Sequence, residues 1–150
     1  MHALRNGVLG LLAVVALAGA AAATEDAGTS TGLVGVHWRW VHFTLPGAAP
    51  VVPQHPERYW VEFRADGGLA FQADCNRGAG RWTHQGAELK LQALSTTLAA
   101  CPPGSLDSRF IQLLGAVRRA SVLGRTALLR LPDGGVLHFE AAFAEAPPAP

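Results

Sequence analysis

Cys75, Cys101 and five histidines spread over the body of the chain (His37, His42, His55, His84 and His138) are the side chains best suited to chemistry. A cysteine nucleophile needs a neighbouring base and a lowered pKa. His84 is the histidine nearest in sequence to Cys75, and nothing else supports that pairing. A metal site built on one helix or strand needs histidines at i, i+4 or i, i+2. No pair has that spacing, and His37 and His42, five apart, point to opposite faces of a flat strand. The expectation is that most of these imidazoles are solvated. Two cysteines in an exported chain more often form a disulfide than two buried thiols, and a Cys75–Cys101 bond is expected to contribute about 3–4 kcal/mol through loop closure.

The carboxylates offer no acid–base pair. Glu62, Asp66, Asp74, Glu88, Asp107, Asp133 and Glu140 fall mostly in turns or at outward strand positions, where surface solubility explains them. There is no G-x-S-x-G, no phosphate-binding glycine loop and no dinucleotide fingerprint. No catalytic residue, cofactor or bound metal is expected.

Charge is nearly balanced, with 12 basic and 11 acidic side chains. A nucleic-acid binder shows a basic excess or stripe. Neither is visible here, and acidic tails and polybasic membrane patches are also missing. Residues 1–23 read as a cleavable signal peptide. Arg5 lies in a polar start, an apolar run covers residues 7–18, and small residues at 20–23 place cleavage near Ala23. The run is shorter than the 20 or so residues of a membrane span, which argues against an uncleaved anchor. No cysteine stands at the cleavage site to carry a lipid. The expected product is a periplasmic or secreted soluble monomer without a stable membrane anchor or nucleic-acid partner. Residues 24–32 read as a disordered lead-in, 33–143 as one domain and 144–150 as a proline-rich tail.

The elements that must hold these side chains are mostly strands. Period-2 patterns mark strands at residues 34–43, 59–64, 69–75, 81–83, 88–91, 127–131 and 136–140. Trp38 and Trp40 share a face with valines. Tyr59, Val61 and Phe63 face inward, and Trp60 faces outward, either to a binding surface or under a covering element. Leu69, Phe71, Ala73 and Cys75 share the inner face of the third strand. Residues 46–56 form a proline-rich loop. Asp66-Gly67-Gly68 marks a hairpin. The period changes over residues 105–119, where Phe110, Leu113, Leu114 and Val117 line one helical face and Ser105 is a plausible N-cap. The expected fold is mainly β (α+β): a small antiparallel curved sheet or partly open barrel with one packed helix.

Four ordered blocks resemble the META domain family of HslJ-like bacterial proteins. Leu33-Val34-Gly35-Val36-His37-Trp38 is similar to its Leu-x-Gly-x-x-Trp start. Asp74-Cys75-Asn76-Arg77-Gly78-Ala79-Gly80-Arg81-Trp82 resembles its Gly/Asp-Cys-Asn-x-x-x-Gly-x-aromatic motif. Thr97-Leu98-Ala99-Ala100-Cys101-Pro102 resembles its Thr-x-x-Ala-Cys-Pro segment, and residues 128–139 its final hairpin. The resemblance implies a small exported or envelope-associated β domain, linked in the family to heat induction, antibiotic tolerance and, in some parasites, virulence. It brings no catalytic residues. Asp74 stands where many members have glycine, and the lipidation cysteine that many carry is missing from the leader.

The motif residues Asp74, Asn76, Arg77, Gly80, Trp82, Thr97 and Pro102 support two readings: a strand-ending turn locked to the Cys101 segment, or a ligand-recognition loop. Asp74 and Arg77 are placed to pair across the bend. The expected function is a non-enzymatic role in envelope maintenance or stress tolerance, through protein or small-ligand contacts. Alternatives are a secreted inhibitor that contacts an enzyme through Trp60, Arg77 and Arg81, and, less favoured, a hydrolase whose site assembles only in space.

Overall fold

The computed structural model describes residues 32–142. The signal peptide read over residues 1–23, the lead-in as far as residue 31 and the tail over 144–150 lie outside the described residues. Eight strands follow in order: β1 (His37–Thr44), β2 (Tyr59–Phe63), β3 (Gly68–Ala73), β4 (Asn76–Gln85), β5 (Glu88–Thr96), β6 (Arg119–Leu123), β7 (Thr126–Arg130) and β8 (Val136–Ala141). A 3-10 turn, Pro56–Arg58, precedes β2, and the helix α1 (Asp107–Ala116) lies between β5 and β6. Each strand pairs antiparallel with the next, and β8 pairs with β1, so the sheet closes into an up-and-down barrel. Closure removes the free edges that a curved open sheet would expose.

Alternation decides which side chains fill the ring. Trp38, Trp40, Val61, Phe63, Leu69, Phe71, Leu89, Leu91, Leu129, Leu137 and Phe139 are buried. In α1, Phe110 and Leu114 are fully buried, as is Val117 just beyond its end. Phe110 stacks on Trp40 at 4.9 Å and meets Tyr59 edge-on at 5.6 Å. The helix therefore adds its apolar stripe to an aromatic cluster continuous with the barrel core. Burying one such aromatic side chain contributes about 2–3 kcal/mol. Trp82 meets Phe63 edge-on at 5.5 Å, and its Nε1 donates to Arg64 O at 2.9 Å.

The structure departs from the sequence reading at four places. First, the strand read over residues 69–75 ends at Ala73. Ala73 pairs with Asn76, so Asp74 and Cys75 form a two-residue turn and Cys75 is exposed instead of inward. The gap between the strands read at 69–75 and 81–83 is instead the first half of β4, which holds Gly78 and Gly80. A Cβ at Gly78 would overlap the Phe71 ring, so glycine serves close packing there. Gly80 faces a bulge in β5, where Ala93 has φ 51°, and a Cβ at Gly80 would meet Leu94 Cδ2 at 2.6 Å.

Second, the helix is shorter than residues 105–119. The Asp107 N–H donates to Ser105 Oγ at 3.2 Å, but Leu106 occupies the N-cap position. At the other end the chain is extended by Val117, because the Arg118 backbone pairs with Arg130 O and Leu89 N, both at 2.9 Å. Third, this pairing starts β6, an element the periodicity did not show: Ala120 alone in it is buried, so it carries almost no alternation.

Fourth, a bulge between Trp40 and His42 shifts the β1 register. An extra residue in one strand inverts the later alternation. Phe43 is therefore buried, while His42 joins His37 on the outer surface instead of opposing it. There His42 stacks on His138 at 4.1 Å, and His138 Nε2 lies 3.1 Å from Thr44 Oγ1.

Candidate functional site

The two motif segments meet at one end of the barrel. Cys75 and Cys101 form a disulfide across a separation of 26 residues. Both cysteines are used by it, so no thiol nucleophile exists among the described residues. Beside the bond, Asn76 is 3% exposed. Its Oδ1 accepts from Ala99 N at 2.8 Å and from Thr97 Oγ1 at 3.0 Å. Its Nδ2 donates to Ala99 O at 3.1 Å and to Asp107 Oδ2 at 3.2 Å, with Cys101 Sγ at 3.4 Å. A primary amide has two donors and two acceptor sites, so all four are occupied. Asparagine is suited to this place because it offers both faces of an amide to one crossing loop.

Asn76 therefore ties the barrel to the 97–107 crossover. Asp107 links that tie to α1, with Ser105 Oγ donating to Asp107 Oδ1 at 3.1 Å. Tyr59, buried on β2, accepts from Leu106 N through its hydroxyl at 2.9 Å. Arg77 takes part through its backbone: its N–H donates to Thr97 Oγ1 at 3.1 Å, and its carbonyl accepts from Thr97 N at 3.0 Å and Thr96 Oγ1 at 3.2 Å. Its side chain is left exposed.

Asp74 does not pair with Arg77. It sits at φ 55°, and its carboxylate meets Arg58 Nη1 at 3.3 Å. The backbone reverses sharply at 74–75, which turns the Asp74 side chain toward the 3-10 turn before β2. Asp74 N donates to Arg58 O at 2.9 Å and Gln72 Nε2 to Asp74 O at 3.0 Å, so the strained turn is held on both sides. Tyr59 read as inward, but the part Arg58 and Tyr59 play at this site carried no signal in the sequence, because their partners lie 16 and 47 residues away. Next to this turn, Gln54, His55, Arg58, Asp74 and Pro102 through Ser105 line a crevice of about 80 Å³. It holds a few waters at most.

The proposed contact residues are partly gathered. In register, Arg39 faces Trp60, Trp60 faces Gln72, and Gln72 faces Arg77, which makes one outward row across four strands. Trp60 is half-buried: its ring lies 4.5 Å from that of His37, and its Nε1 donates to Gln72 Oε1 at 3.2 Å. Arg81 is also outward, farther along β4, where its Nη2 donates to Asp66 O at 3.3 Å. Among the described residues, no three histidine, cysteine or acidic side chains converge as a metal site. No helix among them is long and apolar enough to cross a membrane.

A closed eight-stranded antiparallel barrel, plugged by one helix and clasped by an Asp-Cys-Asn turn bonded to a Cys-Pro segment, defines the class of this protein. The META domain family model matches residues 31–143, and the chain belongs to that family. Similar solved structures include an NMR structure of a protein from Burkholderia xenovorans, 18% identical with a TM-score of 0.67, covering 79% of this chain and 89% of that one. A DUF4847 family protein from Bacteroides vulgatus is 14% identical with a TM-score of 0.53, over 72% and 93% of the two chains. At such identities the likeness is one of fold. No curated protein matches the chain.

Proposed function

We propose that this chain is an exported, non-enzymatic envelope domain that supports envelope maintenance or stress tolerance by binding a protein or small ligand on its outer surface. The observation that carries this reading is the Cys75–Cys101 disulfide, whose Cys75 faces solvent. Such a bond persists in oxidising compartments and is rare where cytosolic reductants operate. The leader at residues 1–23 agrees with it. The barrel interior is filled by aromatic and aliphatic side chains, and the clasp amide is saturated, which favours recognition on the exterior. The row Arg39–Trp60–Gln72–Arg77 is one candidate face, and the same row would serve the inhibitor reading.

The test is fractionation of cells producing the full chain, with free thiols alkylated before lysis. The expected species is a shortened chain in the periplasm or medium with no alkylated cysteine. Full-length cytosolic protein carrying two alkylated thiols would overturn the proposal. A deletion strain is expected to show raised envelope permeability under heat or antibiotic stress, and unchanged permeability would remove the envelope role.

A further inference from the structure

We infer that the outer surface at the β5–β6 seam is a binding site for a phosphate ester carrying at least two negative charges. The seam is narrow. β5 and β6 share one paired position, Glu88 with Arg119, flanked by the bonds from Leu89 N to Arg118 O and from Ala120 N to Ala87 O. Beyond it the long crossover carrying α1 leaves a notch. Lys90, Arg118, Arg119, Arg130, Leu131 and Pro132, with Glu88, line this groove of about 480 Å³. Three separate segments supply its cations, so no basic stripe shows in the sequence.

Arg119 and Arg130 stand directly opposite each other on β6 and β7. Like charges at such a position oppose sheet formation. Among the described residues no carboxylate lies within 4.0 Å of Lys90, Arg118, Arg119 or Arg130, the neighbouring Glu88 included. Arg118 is partly engaged, donating through Nη1 to Gly115 O at 3.2 Å and Val117 O at 2.7 Å, where it offsets the negative end of α1. The guanidiniums of Arg119 and Arg130 and the Lys90 ammonium remain for a ligand.

Strand neighbours lie about 4.8 Å apart, so one anion can bridge the two guanidiniums. Guanidinium forks match phosphate oxygens with paired hydrogen bonds. A monoanion would leave most of the local charge uncompensated, whereas a phosphate dianion or a diphosphate would not. Leu131 and Pro132 offer an apolar wall to the organic part of an ester. This inference stands apart from the envelope role.

The test is NMR titration of the purified protein with inorganic pyrophosphate in 150 mM sodium chloride, where weak surface attraction is screened. Saturable shifts are expected at the amides of Lys90, Arg119, Arg130 and Leu131, with at least a tenfold loss of affinity in R119Q/R130Q. That variant relieves a like-charge pair and is expected to melt no lower than the parent without ligand. K90Q gives a second reading at a position outside the pair, with a smaller loss expected. Sedimentation with phosphatidylcholine vesicles, with or without phosphatidic acid, separates the sources. Pyrophosphate-competed retention on the acidic vesicles assigns the ester to a lipid headgroup; pyrophosphate binding without retention assigns it to a free ester. Absence of saturable shifts, equal affinity in R119Q/R130Q, or retention of a DNA oligonucleotide without a response to pyrophosphate would each overturn the assignment.

Discussion

The side-chain amide of Asn76, at the start of β4, donates across 3.2 Å to the Asp107 carboxylate in the first turn of α1. This bond joins a barrel strand to the helix that plugs the barrel. The same amide holds the Ala99 backbone at both its N–H and its carbonyl. The family motif thus has a mechanical role: a disulfide sets the approach of the crossover, and a buried amide sets its orientation.

Replacing Asn76 by aspartate turns the donor to Asp107 into a second carboxylate. N76D is expected to lose roughly 2–3 kcal/mol at pH 7, from unpaired groups and like-charge contact. The deficit should shrink on titration to pH 4, where one of the two carboxyls takes a proton. Urea unfolding at both pH values measures it, and an equal deficit at both would argue against direct contact between the side chains.

Asp74 is held at φ 55° by surrounding bonds, with an ion pair to the half-exposed Arg58. Left-handed backbone costs an alanine about 1–2 kcal/mol and glycine little. The ion pair contributes about 1 kcal/mol or less at this exposure. D74G should therefore be more stable than D74A by about 1 kcal/mol in thermal unfolding. The reverse order would show that the turn does not require positive φ.

Two buried tryptophans differ in one respect. Trp38 Nε1 donates to Leu33 O at 3.0 Å, whereas Trp40 Nε1 has no hydrogen-bond partner among the described residues. Phenylalanine at position 38 leaves the Leu33 carbonyl unpaired; at position 40 it removes an unpaired donor. W38F is expected to be less stable than W40F by about 1 kcal/mol or more. Loss of protection at the Gly35 amide, which donates to Phe63 O beside this segment, should accompany W38F in hydrogen exchange.

The His138 pKa lies below the ordinary histidine value of about 6.5, first because of burial, then because of His42 and Arg130. Burial also lowers that of His37, partly offset by Glu62. The unfolded chain binds these protons more readily. Their contribution to stability is therefore complete above the unfolded value and is lost as pH falls through the folded one. From pH 8 to pH 5 the parent should lose more stability than H138Q, by denaturant midpoint. Parallel losses would show that His138 does not set the acid sensitivity.

Much of the fold was legible in residue order. Period-2 alternation identified the inward Tyr59, Val61 and Phe63 of β2 and Leu69, Phe71 and Ala73 of β3, because a strand with one face in the core must alternate. The Asp66-Gly67-Gly68 turn and the Phe110–Leu114 stripe were legible for similar local reasons. The errors fell where local and distant preferences competed. The 105–119 pattern ran past Ala116 because Val117 does face the core, although from extended backbone. Cys75 read as inward because alternation was carried through a turn that Asp74, a residue tolerant of positive φ, actually makes.

The sequence by itself determined the strand-dominated class, the helical face and the family, since each rests on neighbouring residues or ordered motifs; it favoured a Cys75–Cys101 bond over two buried thiols, and the structure forms that bond. Only the tertiary structure decided that the sheet closes from β8 to β1, that Asn76 is buried with all four hydrogen-bonding positions filled, that a bulge brings His42 onto His138, and that Lys90, Arg119 and Arg130 share one groove. The physical reason is common to all four. A pattern along the chain states which face a residue presents, but not which distant segment covers it; that is settled by closure and packing of the whole barrel. The Asp-Cys-Asn motif contains both parts: its residues could be read as a locked turn, while the partners that lock it, Thr97, Ala99 and Asp107, came together only in the folded molecule.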